Sequence, residues 1–506
     1  MIESRVSNFH DTYRWIFYPP PRTDSFQQHE FLDWLRDGTG IFWVSGKPGS
    51  GKSSLVDYIY QNLQPGEDGF NHLTAWSQPK HVRLLSFWFF RPASVALLKS
   101  LEGLWRSFCF QILDAEEGLA ETIRNDEDGL APKSLRSCLG KAGSSTPDWT
   151  DTELKSWFTY LLTHSQYNYC ILIDGLDEVA RMSDREALLD AVHHIRCIGT
   201  KVKLCCSSRP EQPFRRALCQ YPSLRLQDLN YEDIQLHCHD RLKGTRAADY
   251  ADTIAQQAQG VFLWASLVAT DLWTGANEGD SEDDLRQRLR QCPAEMDDLF
   301  TLLLERQDRF YAKDPKPYLR LINTAISDGC DINLLDLLLA SSDQEKLMSN
   351  FPSNLLPCCL AISNLATVDL KANVVARCAC LVEYYDSTDV VGKFSESFSY
   401  ESLVKSYRTG VRFIHRSAQD FLLENDRGAE LVNACRISER EARQRLLLAW
   451  PTTILQLTIG CGCRFLVNTP IVRARAARTN DPSLQFMATR KRIQAEATEP
   501  PPQFSE

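Results

Sequence analysis

The sequence predicts an α/β fold: a parallel sheet with helices on both faces, followed by helical and winged-helix domains. Three observations carry this. Four apolar runs, residues 41–44, 82–90, 169–173 and 202–206, are too short for helices and show no polar alternation, the pattern of strands buried on both faces. Segments with helical spacing stand between them, as a parallel sheet requires of its crossovers. A glycine-rich stretch, Gly46-Lys47-Pro48-Gly49-Ser50-Gly51-Lys52-Ser53, joins the first run directly to the first of those helices.

Taken in order, residues 1–38 read as a helical lead-in. Thr12-Tyr13-Arg14-Trp15-Ile16-Phe17 precedes Pro19-Pro20-Pro21, and Ser25 is placed to cap a helix running to Leu35. After the glycine-rich loop, Leu55, Ile59 and Leu63 fall on one helical face, and residues 95–113 are apolar at helical spacing. Residues 125–151 are rich in Gly, Ser, Pro and charge and read as a loop. Helical patterns at 154–162 and 185–195 precede the third and fourth strands, which sets the α/β domain at 39–228. Helical spacing then dominates residues 229–315, with Gly260-Val261-Phe262-Leu263-Trp264-Ala265 leading one helix and an acidic loop at 278–284 preceding another. Residues 316–424 mix short helices with strand-like stretches near 397–402 and 410–414, which fits a small winged-helix-like domain. Residues 425–506 form a C-terminal extension, with a helix at 439–450 and a basic, partly disordered tail beyond it. No repeat of 20 to 50 residues is evident.

Bulk properties narrow the function. At 506 residues the chain is too long for one core. A net charge of −10 argues against a general nucleic-acid or anionic-membrane binder, because phosphate backbones reward clustered Lys and Arg. The longest apolar stretch, 453–467, is broken by Gln456, Thr458 and Arg464, so no membrane span is expected. The first residues lack the apolar core of a secretory signal, and the expected location is the cytoplasm. The 17 cysteines include no C-x₂-C zinc spacing and several sit inside apolar runs, so they read as buried reduced thiols.

Three motifs carry chemistry. In Gly46-x₄-Gly51-Lys52-Ser53 the glycines let backbone N–H groups curl round a phosphate, with Lys47, Pro48, Gly49, Ser50 and Ser54 completing the loop. Lys52 reaches the β/γ oxygens and the Ser53 hydroxyl ligates Mg²⁺. The run Cys170-Ile171-Leu172-Ile173-Asp174-Gly175-Leu176-Asp177-Glu178 is a strand ending in three acids. Asp174 is assigned to the metal, Asp177 is the first choice to orient or deprotonate water, and Glu178 is the alternative. Ser207-Ser208-Arg209-Pro210 closes another buried strand, bringing Arg209 to the same C-terminal sheet edge, where a cation senses or stabilises a γ-phosphate. Arg91, after the 82–90 strand, is a weaker candidate of the same kind.

Together, these ordered motifs resemble a NACHT domain, a branch of the STAND signalling NTPases. The likeness is greatest to the large fungal NACHT proteins, which share elements like Trp15-Ile16-Phe17 and Phe89-Phe90-Arg91; it runs from about residue 8 to 424. Phe413-Ile414-His415-Arg416-Ser417-Ala418-Gln419-Asp420-Phe421-Leu422 is similar to the family's winged-helix segment, whose histidine contacts the β-phosphate of bound ADP in the resting state. The resemblance therefore implies that His415 links nucleotide to domain closure. It also implies a switch that binds ATP or GTP with Mg²⁺, hydrolyses it slowly and forms a homo-oligomer on activation, with protein effector or sensor partners, in signalling of the fungal self/non-self or innate-immunity type. The usual effector domain and sensor repeats are not read in this chain, which suggests an orphan or truncated switch module. Two rivals stand beside this reading: a catalytically inactive nucleotide-binding scaffold, and a P-loop kinase, which would need a lid arginine cluster and acceptor residues.

Overall fold

The computed structural model describes residues 12–19, 27–91, 96–126, 129–140, 149–179, 183–198, 202–311, 317–341, 374–375, 377–386, 409–435, 437–447 and 449. The chain forms two compact units, one of residues 1–303 with His415–Ser417 and one of residues 304–414 with 418–506.

In the first unit a 3₁₀ turn at Arg14–Ile16 and helix α1 (Gln27–Arg36) precede strand β1 (Gly40–Ser45) and α2 (Lys52–Asn62). Next come α3 (Asp68–Ser77), β2 (Val82–Trp88), α4 (Leu101–Ala115), α5 (Glu117–Arg124), α6 (Lys133–Gly140) and α7 (Asp151–His164). Strands β3 (Asn168–Asp174), β4 (Val202–Ser208) and β5 (Ser223–Arg225) are separated by α8 (Asp184–Cys197) and α9 (Gln212–Leu218). Helices α10 (Tyr231–Leu242), α11 (Ala251–Gln257), α12 (Phe262–Glu278) and α13 (Glu282–Gln291) follow, and α14 (Met296–Tyr311) begins in this unit and ends in the second.

The five strands pair in parallel in the order β2-β3-β4-β1-β5. Their side chains alternate between two apolar cores. Ile41, Trp43, Ile171, Ile173, Leu204 and Cys206 face one, with α4, α7 and α8. Phe42, Val44, Cys170, Leu172 and Cys205 face the other, with α1, α2 and α3. Burial on both faces is why β1, β3 and most of β4 read as apolar runs. Lys203 is the exception inside β4. Its buried ammonium donates to the Trp34 carbonyl in the last turn of α1 and to the Gly38 carbonyl just beyond it, at 2.6 Å for Gly38, and lies 5.0 and 4.9 Å from the Trp34 and Trp76 rings. The Trp34 carbonyl also accepts the Gly38 N–H at 2.9 Å, so the lysine adds a second donor at this helix end, while burial pushes its amine down to about 8.

Residues 125–151 are not wholly loop, because α6 forms within them. Pro132 stands just before its first turn, Leu135 is fully buried, and Ser134 Oγ accepts from Trp157 Nε1 at 2.8 Å. Packing onto α7 overrides the loop-like composition. Helix α7 begins at a capping box in which Thr150 and Glu153 bond reciprocally.

The second unit contains α15 (Pro317–Ser327), β6 (Ile332–Asn333), α16 (Leu334–Ser341), β7 (Val382–Asp386) and β8 (Thr409–Phe413). Helices α17 (Arg416–Glu424) and α18 (Asp426–Asn433) follow, the start of α17 being grouped with the first unit. The strands form an antiparallel sheet in the order β6-β8-β7. The strand expected near 410–414 is β8; the one expected near 397–402, like the basic tail, lies outside the described residues.

Candidate functional site

The strand order decides the site. Because β4 lies between β1 and β3, the loop after β1, the acidic turn after β3 and the Ser207-Ser208-Arg209 end of β4 open onto one sheet edge. Register fixes this closely: Ser45 stands beside Ser208, and Ile173 beside Cys206.

Within the glycine-rich loop, Gly49 and Gly51 adopt positive φ of 70° and 97°, a region that costs any other residue type. Gly46 has no room for a side chain either, since a Cβ there would stand 2.6 Å from Ser50 Oγ. Lys52 opens α2, whose N-cap Gly51 gives no side-chain cap, so the first-turn amides are available to an anion. The Lys52 ammonium donates to the Gly46 and Lys47 carbonyls, both at 3.0 Å, spanning the mouth of the loop. Burial lowers its pKa, while Asp177, Asp174 and Glu178 oppose that and Arg209 adds to it. Ser50 Oγ is buried without a hydrogen-bond partner. An orphaned hydroxyl, left-handed glycines and an uncapped helix start with a lysine at its mouth fit a polyphosphate.

The three acids have different surroundings. Asp174 is buried and accepts the Ser207 hydroxyl at 2.5 Å, while Ser207 Oγ accepts the Gly175 N–H at 2.9 Å. Asp177 is buried and heavily engaged: Oδ1 accepts the Arg209 N–H at 2.9 Å, and Oδ2 lies 3.1 Å from Arg209 Nε and 3.2 Å from Arg416 Nη1. Glu178 is partly buried and accepts the Arg91 N–H at 3.1 Å. Burial, then repulsion from Asp177 and Asp174, pushes its carboxyl up to about 7. Gly175, at φ 72°, makes the turn that sends these side chains apart. Among the described residues no group of three or more His, Cys, Asp and Glu side chains is set to hold a metal, so a cation here would rest on Ser53, Asp174 and the phosphates themselves.

His415 lies in the turn before α17, and its Nδ1 accepts the Ser417 N–H at 3.0 Å. In the neutral ring that bond leaves the proton on Nε2, making the outer nitrogen a donor. Arg91 donates its backbone N–H to Glu178 rather than standing apart from the site.

Several contacts had no sequence signal. Asn230, at the start of α10, donates to the Ser50 carbonyl at 2.9 Å and the Gly260 carbonyl at 3.0 Å, and Leu263 N–H donates to the Gly49 carbonyl at 2.9 Å. The helical segment therefore holds the outside of the phosphate loop. Asp233 accepts the Tyr13 N–H at 3.0 Å and the Trp15 indole at 2.9 Å, fixing the lead-in so that Tyr13 OH reaches the Gly51 carbonyl at 3.4 Å.

Residues 22–209 match the model of the nephrocystin 3 N-terminal family. The chain is 22% identical over 466 residues to the vegetative incompatibility protein HET-E-1 of Podospora anserina, covering 88% of this chain but 28% of that one, so it spans little more than a quarter of its relative's length. Among solved structures it is similar to a STAND protein with a tetratricopeptide repeat sensor from Pyrococcus horikoshii, at 13% identity and TM-score 0.32, covering 95% of this chain and 60% of that one. It is also similar to Cdc6p from Pyrobaculum aerophilum, at 11% identity and TM-score 0.32, covering 82% and 95%. No helix among the described residues is long and apolar enough to cross a membrane.

Proposed function

We propose that this chain, whose P-loop NTPase domain is of the NACHT type within the STAND class, is a slow nucleotide-dependent switch that couples ATP or GTP state to domain opening and self-assembly. The observation carrying this is the convergence of Lys52, Asp174, Glu178 and Arg209 at one sheet edge, enforced by β4 lying between β1 and β3. The residues from Gly46 to Ser54 hold the phosphates, Ser53 and Asp174 hold Mg²⁺, and Arg209 faces the terminal phosphate. The bound cation would supply charge neutralisation of the phosphates.

Glu178 is the better base. Asp177 has its carboxylate committed to Arg209 and Arg416, whereas a carboxyl near pH 7 is matched to taking a proton at neutral pH. The proposed architecture is a lead-in to 38, a NACHT domain at 39–228, a helical domain at 229–315, a winged-helix-like domain at 316–424 and an extension beyond. His415 Nε2 is the donor proposed for a diphosphate in the resting state. The proposed output is signalling of the kind that the fungal relative's name records, through protein effector or sensor partners in the cytoplasm.

The test is nucleotide binding and single-turnover hydrolysis by the full chain, with light scattering for assembly, comparing Lys52→Ala and His415→Ala. Support requires that Lys52→Ala abolish binding and that His415→Ala loosen diphosphate and promote assembly. A wild type that neither binds nor changes size would leave the scaffold reading.

A further inference from the structure

Asp177 is 2% exposed and Arg416 6%, and the Arg416 Nη1 that lies 3.2 Å from Asp177 Oδ2 also donates to the Asp177 carbonyl at 3.0 Å. Arg209 takes the same Oδ2 at 3.1 Å. One carboxylate thus faces two guanidinium groups in a place where an uncompensated charge is costly. Lys52 lies in the same field, with Asp177, Asp174, Glu178 and Arg209 all acting on its ammonium, so the shared carboxylate stands at the edge where the phosphate loop opens.

We propose that Arg416 is a phosphate-binding residue that reads the third phosphate of a bound nucleoside triphosphate, with Asp177 its resting counter-ion rather than a base. This rests on the nucleotide-binding reading above. The step is an exchange of ion pairs with no covalent change: Arg416 leaves the Asp177 carboxylate for the terminal phosphate oxygens, which present a denser charge and a bidentate face to the guanidinium. Arg209 behaves differently from Arg416. Its own backbone N–H is bonded to Asp177 Oδ1 at 2.9 Å, so its main chain stays anchored whichever anion its side chain takes. Arg416 reaches Asp177 through its side chain alone and responds to competition with a larger displacement. A diphosphate lacks the group that competes for it. The contact therefore distinguishes triphosphate from diphosphate at a residue next to His415.

The experiment measures affinities of the full-length protein for fluorescent adenosine and guanosine diphosphates and their non-hydrolysable triphosphate analogues, with Mg²⁺, by anisotropy. Variants are Arg416→Gln, Arg416→Lys, Asp177→Asn and Lys52→Ala. Losing one charge-assisted contact predicts that Arg416→Gln weakens the triphosphate analogue on the order of tenfold while the diphosphate changes less than about twofold. Arg416→Lys is expected to retain part of the preference. Asp177→Asn removes the competing carboxylate and is expected to tighten the triphosphate analogue; this variant decides the matter if Arg416→Gln does not fold. Equal weakening of both nucleotides by Arg416→Gln, or no tightening by Asp177→Asn, shows that Arg416 is only a clamp and overturns the inference while the switch reading stands. Failure of wild type to bind any of these nucleotides overturns both. Loss of all binding in Lys52→Ala alone shows that the phosphate loop is intact in the protein being measured, so the Arg416 ratio reports on this residue.

Discussion

Replacing Glu178 with glutamine is expected to stabilise the protein, and to do so more strongly as pH rises. The carboxyl stands at about 7 in the folded chain against an ordinary 4.5, because burial and the neighbouring Asp177 and Asp174 disfavour its charge. A carboxyl raised on folding favours the folded state while it is protonated. That advantage is complete below about pH 4.5 and is lost as pH climbs through about 7. Glutamine keeps the shape and an oxygen able to accept the Arg91 N–H but cannot ionise. Integrating between the two values gives a gain for the variant of about 1 kcal/mol at pH 5 and about 3 kcal/mol at pH 8, an upper bound that solvent reaching this partly buried side chain lowers. The assay is urea unfolding of the nucleotide-free chain followed by tryptophan fluorescence, comparing variant and wild type at each pH so that other titrating groups cancel. A difference that is flat between pH 5 and pH 8, or that favours wild type at pH 8, would refute the assignment of Glu178 as a carboxyl raised by burial and by its acidic neighbours.

Three further outcomes follow from the geometry. Asp233→Ala removes the acceptor of Tyr13 N–H and Trp15 Nε1, so a loss of about 2–4 kcal/mol and faster hydrogen exchange over residues 12–18 are expected, with Asp233→Asn milder because burial already raises that carboxyl. Gly51→Ala places a Cβ 2.4 Å from Tyr13 OH at φ 97°, so the melting temperature should fall and nucleotide affinity with it; adding Tyr13→Phe should restore part of both, and additivity of the two changes would count against direct contact. Phe158→Ala, at a fully buried ring 5.2 Å from Trp105 and 5.6 Å from Phe108, should cost about 3–5 kcal/mol in denaturant unfolding without changing the ratio of triphosphate to diphosphate affinity.

The sheet was legible because burial on both faces leaves a strand no polar partner in its own sequence. Residues 41–44, 169–173 and 202–206 sit within β1, β3 and β4. What stayed hidden has a physical reason in each case. β5 is three residues, Ser223–Arg225, recruited by pairing with β1 rather than by any pattern of its own. α6 lies in a stretch whose composition reads as loop, and it is held by Leu135 and by the bond from Trp157 to Ser134, which are tertiary facts. Lys203 interrupts an apolar run with a charge whose partners, the carbonyls in and just beyond the last turn of α1, stand more than 160 residues earlier in the chain.

At the site, the sequence named the candidate groups but not their contacts. Asp177 and Glu178 are adjacent and both acidic, and nothing local separates a carboxylate paired with two arginines from one whose carboxyl is raised by burial and by its acidic neighbours. The difference arises because β4 brings Arg209 to Asp177, while Glu178 turns back toward the Arg91 N–H at the end of β2. The same reasoning applies to His415-Arg416. Histidine draws attention as a candidate phosphate contact, yet its Nδ1 is committed to the Ser417 N–H, so only Nε2 can donate outward; the next residue is the one with a buried, shared carboxylate. In the proposed switch, two neighbouring donors with different resting partners would report different things, the histidine that a diphosphate is present and the arginine that a third phosphate has arrived. A switch needs that distinction, because a ligand shifts a conformational equilibrium only by the difference in its free energy between the two states.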